Sequence, residues 1–201
     1  MSSYRGPKAK VARSLGLATT QKTQKVLDRR NFGPGQHGQD RKKSASVYKQ
    51  QLVEKQRLRF TYNISEAQMA KTYAEANRRE GSAGDNLMVL LETRLDALVF
   101  RMGFARTIFA ARQYVAHGHF SVNGVRSFSP SRLVKVGDVI AVRERSKNHV
   151  QIKEALENAP ALPEYVTVDK DKMEGKLVAT PLRAQIPVQF QEQLVVEYYS
   201  R

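Results

Sequence analysis

The apolar residues at positions 46–77 recur at the spacing of an α-helix. Tyr48 and Leu52 share one side of a first helix, in a stretch that contains neither Gly nor Pro. Ser65 can cap the start of a second helix, and Gln68 stands three residues later in the position of a capping box. The pattern predicts two consecutive helices, with the intervening Lys and Arg residues on their exterior.

A second helical stretch is predicted after the sequence GSAGDN at 81–86, whose glycines break the first one. In the following residues, LMVLLETRLDALVFRMG, the apolar positions form one stripe: Leu91, Leu95, Leu98 and Met102. Gly103 is expected to end this helix, because glycine favours the position just past a helix C-terminus. A single helix is therefore predicted between the break and Gly103.

A shorter helix is predicted over 106–116, and beyond it the pattern changes to the two-residue period of a strand. One face of this helix is apolar and the opposite face is polar: Ile108, Ala111 and Val115 on the first, Arg106, Gln113 and His117 on the second. Asn123-Gly124 is a strong hairpin signal, and RLVKV and VIAVR are two further strand candidates. Residues 91–145 therefore predict two helices followed by a small antiparallel sheet.

The two ends of the chain differ in character. Residues 1–46 contain many Gly, Pro, Lys and Arg residues, and we expect them to be irregular and loosely ordered without a partner. NAPALPEYVTVD predicts a linker that leads into a short strand. Near the C-terminus, the apolar cluster between Leu194 and Tyr199 is expected to pack on the first helical stretch.

These elements predict an α+β fold, in which a helical domain carries an inserted module of two helices and a small antiparallel sheet. Three regions are expected: a basic N-terminal arm (1–45), a helical domain (46–90, completed by 180–201), and a module with a C-terminal extension (91–179).

Charge narrows the choice of partner. The net charge is +15, and residues 1–60 contain 15 Lys and Arg against 3 Asp and Glu, whereas residues 148–201 contain 6 against 8. Such asymmetry indicates a polyanionic partner. A membrane is not expected, because no apolar run is long enough to span one and the basic arm lacks a clean apolar face. The chain contains no Cys, which excludes disulfides, thiolate nucleophiles and Cys-ligated zinc.

Enzymatic and metal-binding alternatives find little support. His117 and His119 could share an ion, but a site usually needs three or four protein ligands, and His37 and His149 lie far away in sequence. Asp96 is more readily interpreted as a helix-surface acid paired with a neighbouring arginine than as a catalytic aspartate. No catalytic role, cofactor or metal is therefore expected, and RNA is favoured over DNA because no tandem recognition helix, zinc finger or coiled coil is evident.

We expect RNA contacts from basic residues of the arm and first helices and from polar residues around the hairpin. Arg and Lys supply charge to phosphates, whereas Gln, Asn and His donate without a full charge. The candidates are Arg5, Lys8, Lys10, Arg13, Arg29, Arg30, Gly35, Gln36, His37, Arg41, Lys42, Lys43, Lys49, Lys55, Gln56, Arg57, Arg59, Arg106, Arg112, Gln113, His117, Gly118, His119, Asn123, Arg126 and Arg132. Gly118 is expected to admit a close RNA backbone, and Arg112 has an alternative role as an internal partner of Asp96.

Several segments resemble small-subunit ribosomal protein four. LETRLDALVFRMGFA, AARQYVAHGHFSVNG and PSRLVKVGDVIAV are similar to its RNA-binding module, which also occurs in some RNA-modifying enzymes and certain synthetases. The flanking YRGPKAKVAR, RRNFGPGQHGQ, LVEKQRLRFTYNISEAQM and EQLVVEYYSR extend the resemblance along essentially the whole chain.

The resemblance implies a structural constituent of the small ribosomal subunit that binds the five-prime domain of its rRNA and nucleates assembly. It also implies contact with ribosomal protein five and with mRNA where mRNA enters the subunit, a role in translational accuracy, and location in a cytoplasmic or organellar ribosome. A free RNA chaperone or regulator is the alternative function, and an RNA-modifying enzyme is a third.

The chain departs from the family pattern at several positions. Many family members have a cysteine-rich zinc site, which this chain cannot form. Ala97 stands where members often have Asn, and Ile108 and Phe109 stand where they have basic or polar residues. Arg106, at a neighbouring position, is expected to replace one of the lost charges.

Overall fold

The computed structural model describes residues 4, 6–41 and 44–200, and its fold is α+β, as predicted. The described helices are α1 (Lys8–Leu15), α2 (Gln21–Arg29), α3 (Val47–Thr61), α4 (Glu66–Arg78), α5 (Ala83–Glu92), α6 (Leu95–Arg101), α7 (Ile108–Ala116), α8 (Val150–Glu157) and α9 (Glu192–Tyr199). The described strands are β1 (Phe120–Val122), β2 (Val125–Arg126), β3 (Val139–Val142), β4 (Val166–Asp169) and β5 (Glu174–Leu177). Two compact units are formed, one by the described residues up to Glu75 together with those from Phe190 onwards, the other by Ala76–Gln189.

In the first unit, the C-terminal helix α9 packs on α3, as the apolar tail predicts. Gln51 Nε2 donates to Glu197 Oε2 across 2.9 Å, which joins the two helices at a buried position. The ring of Tyr199 stacks on Tyr73 with centroids 4.9 Å apart. Offset aromatic pairs of this kind add about 0.5–1.5 kcal/mol beyond the area that they bury. The tail is therefore an integral part of this unit.

The prediction that residues 1–46 are irregular is wrong, because this region contains α1 and α2. The residues that suggest disorder act as helix ends. Gly16 adopts a left-handed conformation (φ 62°) after α1, and the Thr20 hydroxyl accepts from the Thr23 N–H at the start of α2. The looseness that we expect of this region without RNA stays a prediction.

The single helix predicted up to Gly103 is two helices, because the chain is extended at Arg94 (φ −66°, ψ 143°). Arg94 forms an isolated β-bridge with Leu133, and the Val134 N–H donates to the Thr93 carbonyl across 2.9 Å. RLVKV is therefore occupied by this bridge and is not a strand of the sheet, contrary to the prediction. The break predicted at 81–86 ends earlier than expected. Helix α5 already begins at Ala83, because the Ser82 hydroxyl caps it by accepting from the Asp85 N–H.

The apolar faces predicted in the second unit are confirmed. The stripe Leu91, Leu95, Leu98 and Met102 is fully buried, and so is the face Ile108, Ala111 and Val115. Helix α7 begins two residues later than predicted, because the Thr107 hydroxyl caps it by accepting from the Ala110 N–H. Arg106 consequently precedes α7 and does not share its polar face.

The sheet is antiparallel throughout, with strand order β2-β1-β3-β5-β4. The predicted hairpin joins β1 to β2, with Asn123 (φ 52°) and Gly124 (φ 77°) both left-handed, the conformation that a tight two-residue turn requires. Strand β5 and helix α8 are absent from the sequence-based prediction. The core of this unit includes Phe104, Phe120 and Tyr165, each with no exposed surface.

Candidate nucleic-acid interface

The predicted RNA contacts divide by exposure. Exposed candidates are Lys8, Lys10, Arg29, Arg30, Gly35, Gln36, His37, Arg41, Lys49, Arg106, Gln113, His117, Asn123 and Arg126. Half-buried candidates are Arg13, Gln56, Arg57, Arg59, His119 and Arg132, whereas Lys55, Arg112 and Gly118 are buried. Arg5, Lys42 and Lys43 lie outside the described residues. The exposed cations predicted to contact RNA therefore lie mainly on α1, α2 and the following loop in the first unit, and around the hairpin in the second unit.

Arg13 has a structural role within the first unit. Its Nε donates to the Phe32 carbonyl across 3.0 Å and its Nη2 to the Gly33 carbonyl across 2.7 Å. The guanidinium also lies over the Phe32 ring, 4.7 Å from its centroid. Arg13 thus fixes the loop that precedes the exposed Gln36 and His37.

The glycines of that loop allow two backbone segments to meet. The Gly33 N–H donates to the Gly38 carbonyl across 3.1 Å. A Cβ added at Gly38 would lie 2.1 Å from the Gly33 carbonyl oxygen, too close for any other residue. The glycine-rich sequence is thereby a folded loop, which presents His37 at the surface with its Nδ1 2.7 Å from Asp40 Oδ2.

Lys55 is buried, which corrects the expectation that it lies on the exterior of α3. Its Nζ donates to Glu66 Oε2 across 2.8 Å and lies 4.7 Å from the centroid of the Tyr198 ring. Tyr199 donates its hydroxyl to the other oxygen of Glu66 across 2.7 Å. Because a buried ammonium needs a counter-charge, Lys55 joins α3, α4 and α9 internally and is unavailable to RNA.

Glu66→Gln is expected to lower the free energy of unfolding by about 1 kcal/mol at neutral pH, after discounting for partial exposure of the carboxylate. Burial raises the pKa of Glu66, but hydrogen bonds from Lys55 and Tyr199 outweigh it and hold the pKa below its ordinary value. Stability from the charged form is therefore present above the unfolded-state pKa and is lost as pH falls through the folded-state pKa.

Urea unfolding at a series of pH values measures this effect. The difference between wild type and Glu66→Gln should shrink as the pH falls from about 6 to about 3. Glu80→Gln, at an exposed carboxylate in the second unit, is the matched control and should change stability little throughout. A difference of constant size down to the lowest pH would contradict this account.

Arg112 is also buried and pairs with Asp96, so the alternative role given to it is confirmed and its assignment as a phosphate ligand is withdrawn. Its Nη1 lies 3.2 Å from Asp96 Oδ2, while Arg94 donates to both oxygens of the same carboxylate across 3.0 and 2.8 Å. Asp96 has no exposed surface, which corrects its placement on the helix surface. Burial lowers the pKa of Arg112, and Arg94 lowers it further, against the opposing effect of Asp96.

Three further candidate arginines, one in the second unit and two on α3 of the first unit, are partly engaged by the protein itself. Arg106 donates to Glu154 across 2.7 Å in an exposed pair. Arg57 donates to Glu54 across 2.5 Å. Arg59 lies 3.7 Å from Glu66 and over the ring of Phe60. Exposed pairs are weak, so Arg106 can exchange Glu154 for a phosphate at little cost.

Gly118 is buried, and the space beside it is filled by the protein itself. A Cβ at this position would lie 2.5 Å from Arg126 Nε and 2.7 Å from the ring of Phe128. Arg126 stacks on the Phe128 ring at 4.1 Å and donates to the His117 carbonyl across 3.4 Å. The absence of a side chain at Gly118 therefore makes room for the side chain of Arg126. This corrects the expectation that Gly118 makes room for an RNA backbone.

The side chain of Asn123 holds the hairpin in place. Its Nδ2 donates to Asp138 Oδ1 across 2.8 Å, and its Oδ1 accepts from the Val139 N–H across 2.9 Å. Asp138 also accepts from the Lys135 N–H, and this bond together with that from Asn123 lowers the pKa of its carboxyl. Asn123 thus positions the hairpin, while its exposed edge stays open to solvent.

Two residues of this region escape the sequence-based prediction. Arg143 Nη1 approaches the Gly118 carbonyl at 3.5 Å. The ring of His149 lies 5.5 Å from that of His119, although 30 positions separate the two in the sequence. The basic run RERSK at 143–147 is a signal for Arg143, whereas His149 is brought near by α8, which was not predicted.

Within the described ranges, no three or more His, Cys, Asp or Glu side chains are grouped so that they could hold a metal ion. The helices of the same residues are all too short or too polar to cross a bilayer. The exposed groups that converge near the hairpin are instead cations and neutral donors, namely Gln113, His117 and Arg126. Such a surface suits phosphates.

Comparison with known proteins identifies the family. Residues 3–92 match the ribosomal protein S4/S9 N-terminal domain, and residues 93–140 match the S4 domain. The small ribosomal subunit protein uS4 of Exiguobacterium sibiricum is 51% identical over 201 residues, which cover both chains entirely. The uS4 protein of Halalkalibacterium halodurans is 48% identical over the same span, and that of Micrococcus luteus is 51% identical over 195 residues, 94% of each chain. Since both parts of the sequence match the same ribosomal protein, this chain belongs to the family of the small ribosomal subunit protein uS4.

Proposed function

We propose that the chain is a structural component of the small ribosomal subunit and binds the five-prime domain of its rRNA early in assembly. The observation that carries this proposal is the exposed cationic surface on α1, α2 and the loop after them, in a chain similar over its length to uS4 proteins. Folded RNA presents closely spaced phosphates, and several exposed basic side chains on neighbouring elements neutralise several of them at once.

The second surface, around the β1–β2 hairpin, fixes the register. Gln113 and His117 are exposed at the end of α7, and Arg126 is held over Phe128 beside them. A guanidinium that is already ordered loses little side-chain entropy on binding phosphate. We infer further contacts with ribosomal protein five and with mRNA where it enters the subunit, and through them an effect on translational accuracy, in a cytoplasmic ribosome.

Sedimentation of cell extracts tests the proposal. The chain should co-migrate with small subunits at about one copy each, and purified chain should protect five-prime-domain nucleotides of small-subunit rRNA in a footprint. A free chaperone would be substoichiometric, and an RNA-modifying enzyme would act at catalytic amounts; either result would reject a structural role.

Arg126→Gln is expected to weaken rRNA binding about tenfold, because a charged hydrogen bond to phosphate contributes about 1.5 kcal/mol or more. Lys176→Gln removes one exposed charge from β5 in the same unit and should have a much smaller effect. A filter-binding titration at fixed salt measures both. Equal losses in the two variants would show that only net charge matters and would remove Arg126 from the interface.

A further inference from the structure

Three histidine rings of the second unit form a cluster beside the β1–β2 hairpin. His117 ends α7, His119 leads into β1, and His149 precedes α8. The ring centroids of His117 and His119 are 6.0 Å apart, and those of His119 and His149 are 5.5 Å apart. Tyr114 packs against the rings of both His119 and His149, at 5.9 and 5.5 Å.

The polar atoms of these rings are only partly satisfied by the protein. His119 Nδ1 lies 2.9 Å from the Ser146 hydroxyl, which leaves its other ring nitrogen for a ligand. The Nδ1 atom of His149 is buried and has no hydrogen-bond partner among the described residues. A buried ring nitrogen without a partner is costly, and a hydrogen bond from a bound ligand or an ordered water would remove that cost.

The titratable groups that lower the pKa of His119 come from four elements, and none of them is an acid. His117 approaches from α7, His149 from α8, Arg126 from β2 and Arg143 from the segment after β3. Arg126 and Arg143 donate to the adjacent carbonyls of His117 and Gly118, so both guanidinium groups lie at this corner. Burial is the largest cause that lowers the pKa of His119, and repulsion from these four groups lowers the pKa further.

We propose that this cluster seats a phosphodiester of RNA and takes up protons as it does so. The inference rests on the proposed function and concerns how one of its surfaces is regulated. A phosphate anion placed among these rings favours imidazolium over imidazole, which opposes the burial and the repulsion. The RNA-bound chain therefore holds more protons than the free chain near neutral pH, and affinity rises as the pH falls.

The test is the pH dependence of affinity of the full chain for a small-subunit rRNA transcript, measured by filter binding at constant ionic strength. Between about pH 8 and about pH 6, each proton taken up should tighten binding by up to about tenfold per pH unit. His119→Gln/His149→Gln should bind RNA more weakly than the wild type and lose most of this slope. Lys153→Gln, which removes a permanent charge from α8, should keep the slope.

The outcomes separate the two proposals. A flat profile for the wild type with RNA still bound would overturn the proton-linked site and leave the proposed function in place. The proton-linked site would also be overturned if the pH dependence of affinity survived in His119→Gln/His149→Gln and disappeared in His37→Gln. Proton uptake would then belong to the first unit, and the proposed function would stand. Absence of rRNA binding at every pH would reject both proposals. Circular dichroism of each variant over the same pH range verifies that it is folded.

Discussion

Asp96→Asn is expected to lower the free energy of unfolding by about 3–5 kcal/mol, because it removes the buried carboxylate charge to which Arg94 and Arg112 both donate. Arg94, Asp96 and Arg112 have at most 6% of their surface exposed. The carboxylate also accepts from the Ala97 N–H across 3.1 Å, so it holds the start of α6. An intact buried cluster of charges contributes little net stability. Removing one of its charges is nevertheless strongly destabilising, because the remaining charges stay out of water and are no longer neutralised.

Glu154→Gln is the matched control for this substitution. Glu154 pairs with Arg106 at a distance similar to that between Arg94 and Asp96, but in an exposed position. The substitution should therefore lower the free energy of unfolding by no more than about 1 kcal/mol. Urea unfolding of both variants measures the contrast. Arg112→Ala should likewise lose stability while the folded protein keeps its affinity for rRNA. Equal, small losses in Asp96→Asn and Glu154→Gln would contradict the role assigned to the buried group, and a folded Arg112→Ala with weakened binding would return Arg112 to the interface.

The affinity for rRNA is expected to fall about 10³–10⁵-fold between about 50 and 200 mM salt, if about six to ten phosphates are neutralised. The positive charge that would neutralise these phosphates is concentrated at the start of the chain, where residues 1–60 contain 15 basic and 3 acidic side chains. Filter binding at several salt concentrations gives the slope of log affinity against log salt. A slope near zero would exclude phosphate contacts as the main source of affinity.

A pair of double variants assigns the slope to a surface. Arg29→Gln/Arg30→Gln removes two exposed charges at the end of α2 and should make the slope shallower by about two units. Lys170→Gln/Lys176→Gln removes two exposed charges from the second unit, at positions without a predicted RNA contact, and should leave the slope unchanged. Equal changes would show that charge acts at long range and that α2 is not a contact surface.

Apolar periodicity predicts the fold wherever one face of a helix is buried. The stripe that includes Leu95 and Leu98, and the packing of the tail on α3, both follow from it. Strand β5 could not be found in this way, because EGKL has no alternation and contains a glycine. Gly175 is required by its packing against another element, since a Cβ at this position would lie 2.5 Å from Met102 Sδ. Such a contact depends on α6 and is invisible in the local sequence.

The site was harder to predict than the fold, because composition shows where charges are but not what they pair with. Lys55 and Arg112 carry the same charge as the exposed candidates, yet their partners Glu66 and Asp96 stand 11 and 16 positions away. The RNA interface predicted around the hairpin includes His117 and His119, and it stays a prediction. Its third histidine, His149, becomes a neighbour only through α8.

The segment that matches the S4 domain ends at residue 140, inside β3, whereas the sheet continues through β5 to β4. Tyr165, next to β4, donates its hydroxyl across 2.6 Å to Glu92, which is the last residue of α5 and also pairs with Arg101. Both Tyr165 and Glu92 are fully buried and lie outside residues 93–140.

The second compact unit, Ala76–Gln189, is therefore larger than the segment 93–140 that matches the S4 domain. A peptide cut to 93–140 would lack the last two strands of the sheet, of which β5 pairs with β3 at Ile140, and would lack Glu92, which pairs with Arg101. The segment that matches the S4 domain is thus not autonomous in folding in this chain, because residues outside it supply the last two strands of the sheet and the carboxylate that pairs with Arg101.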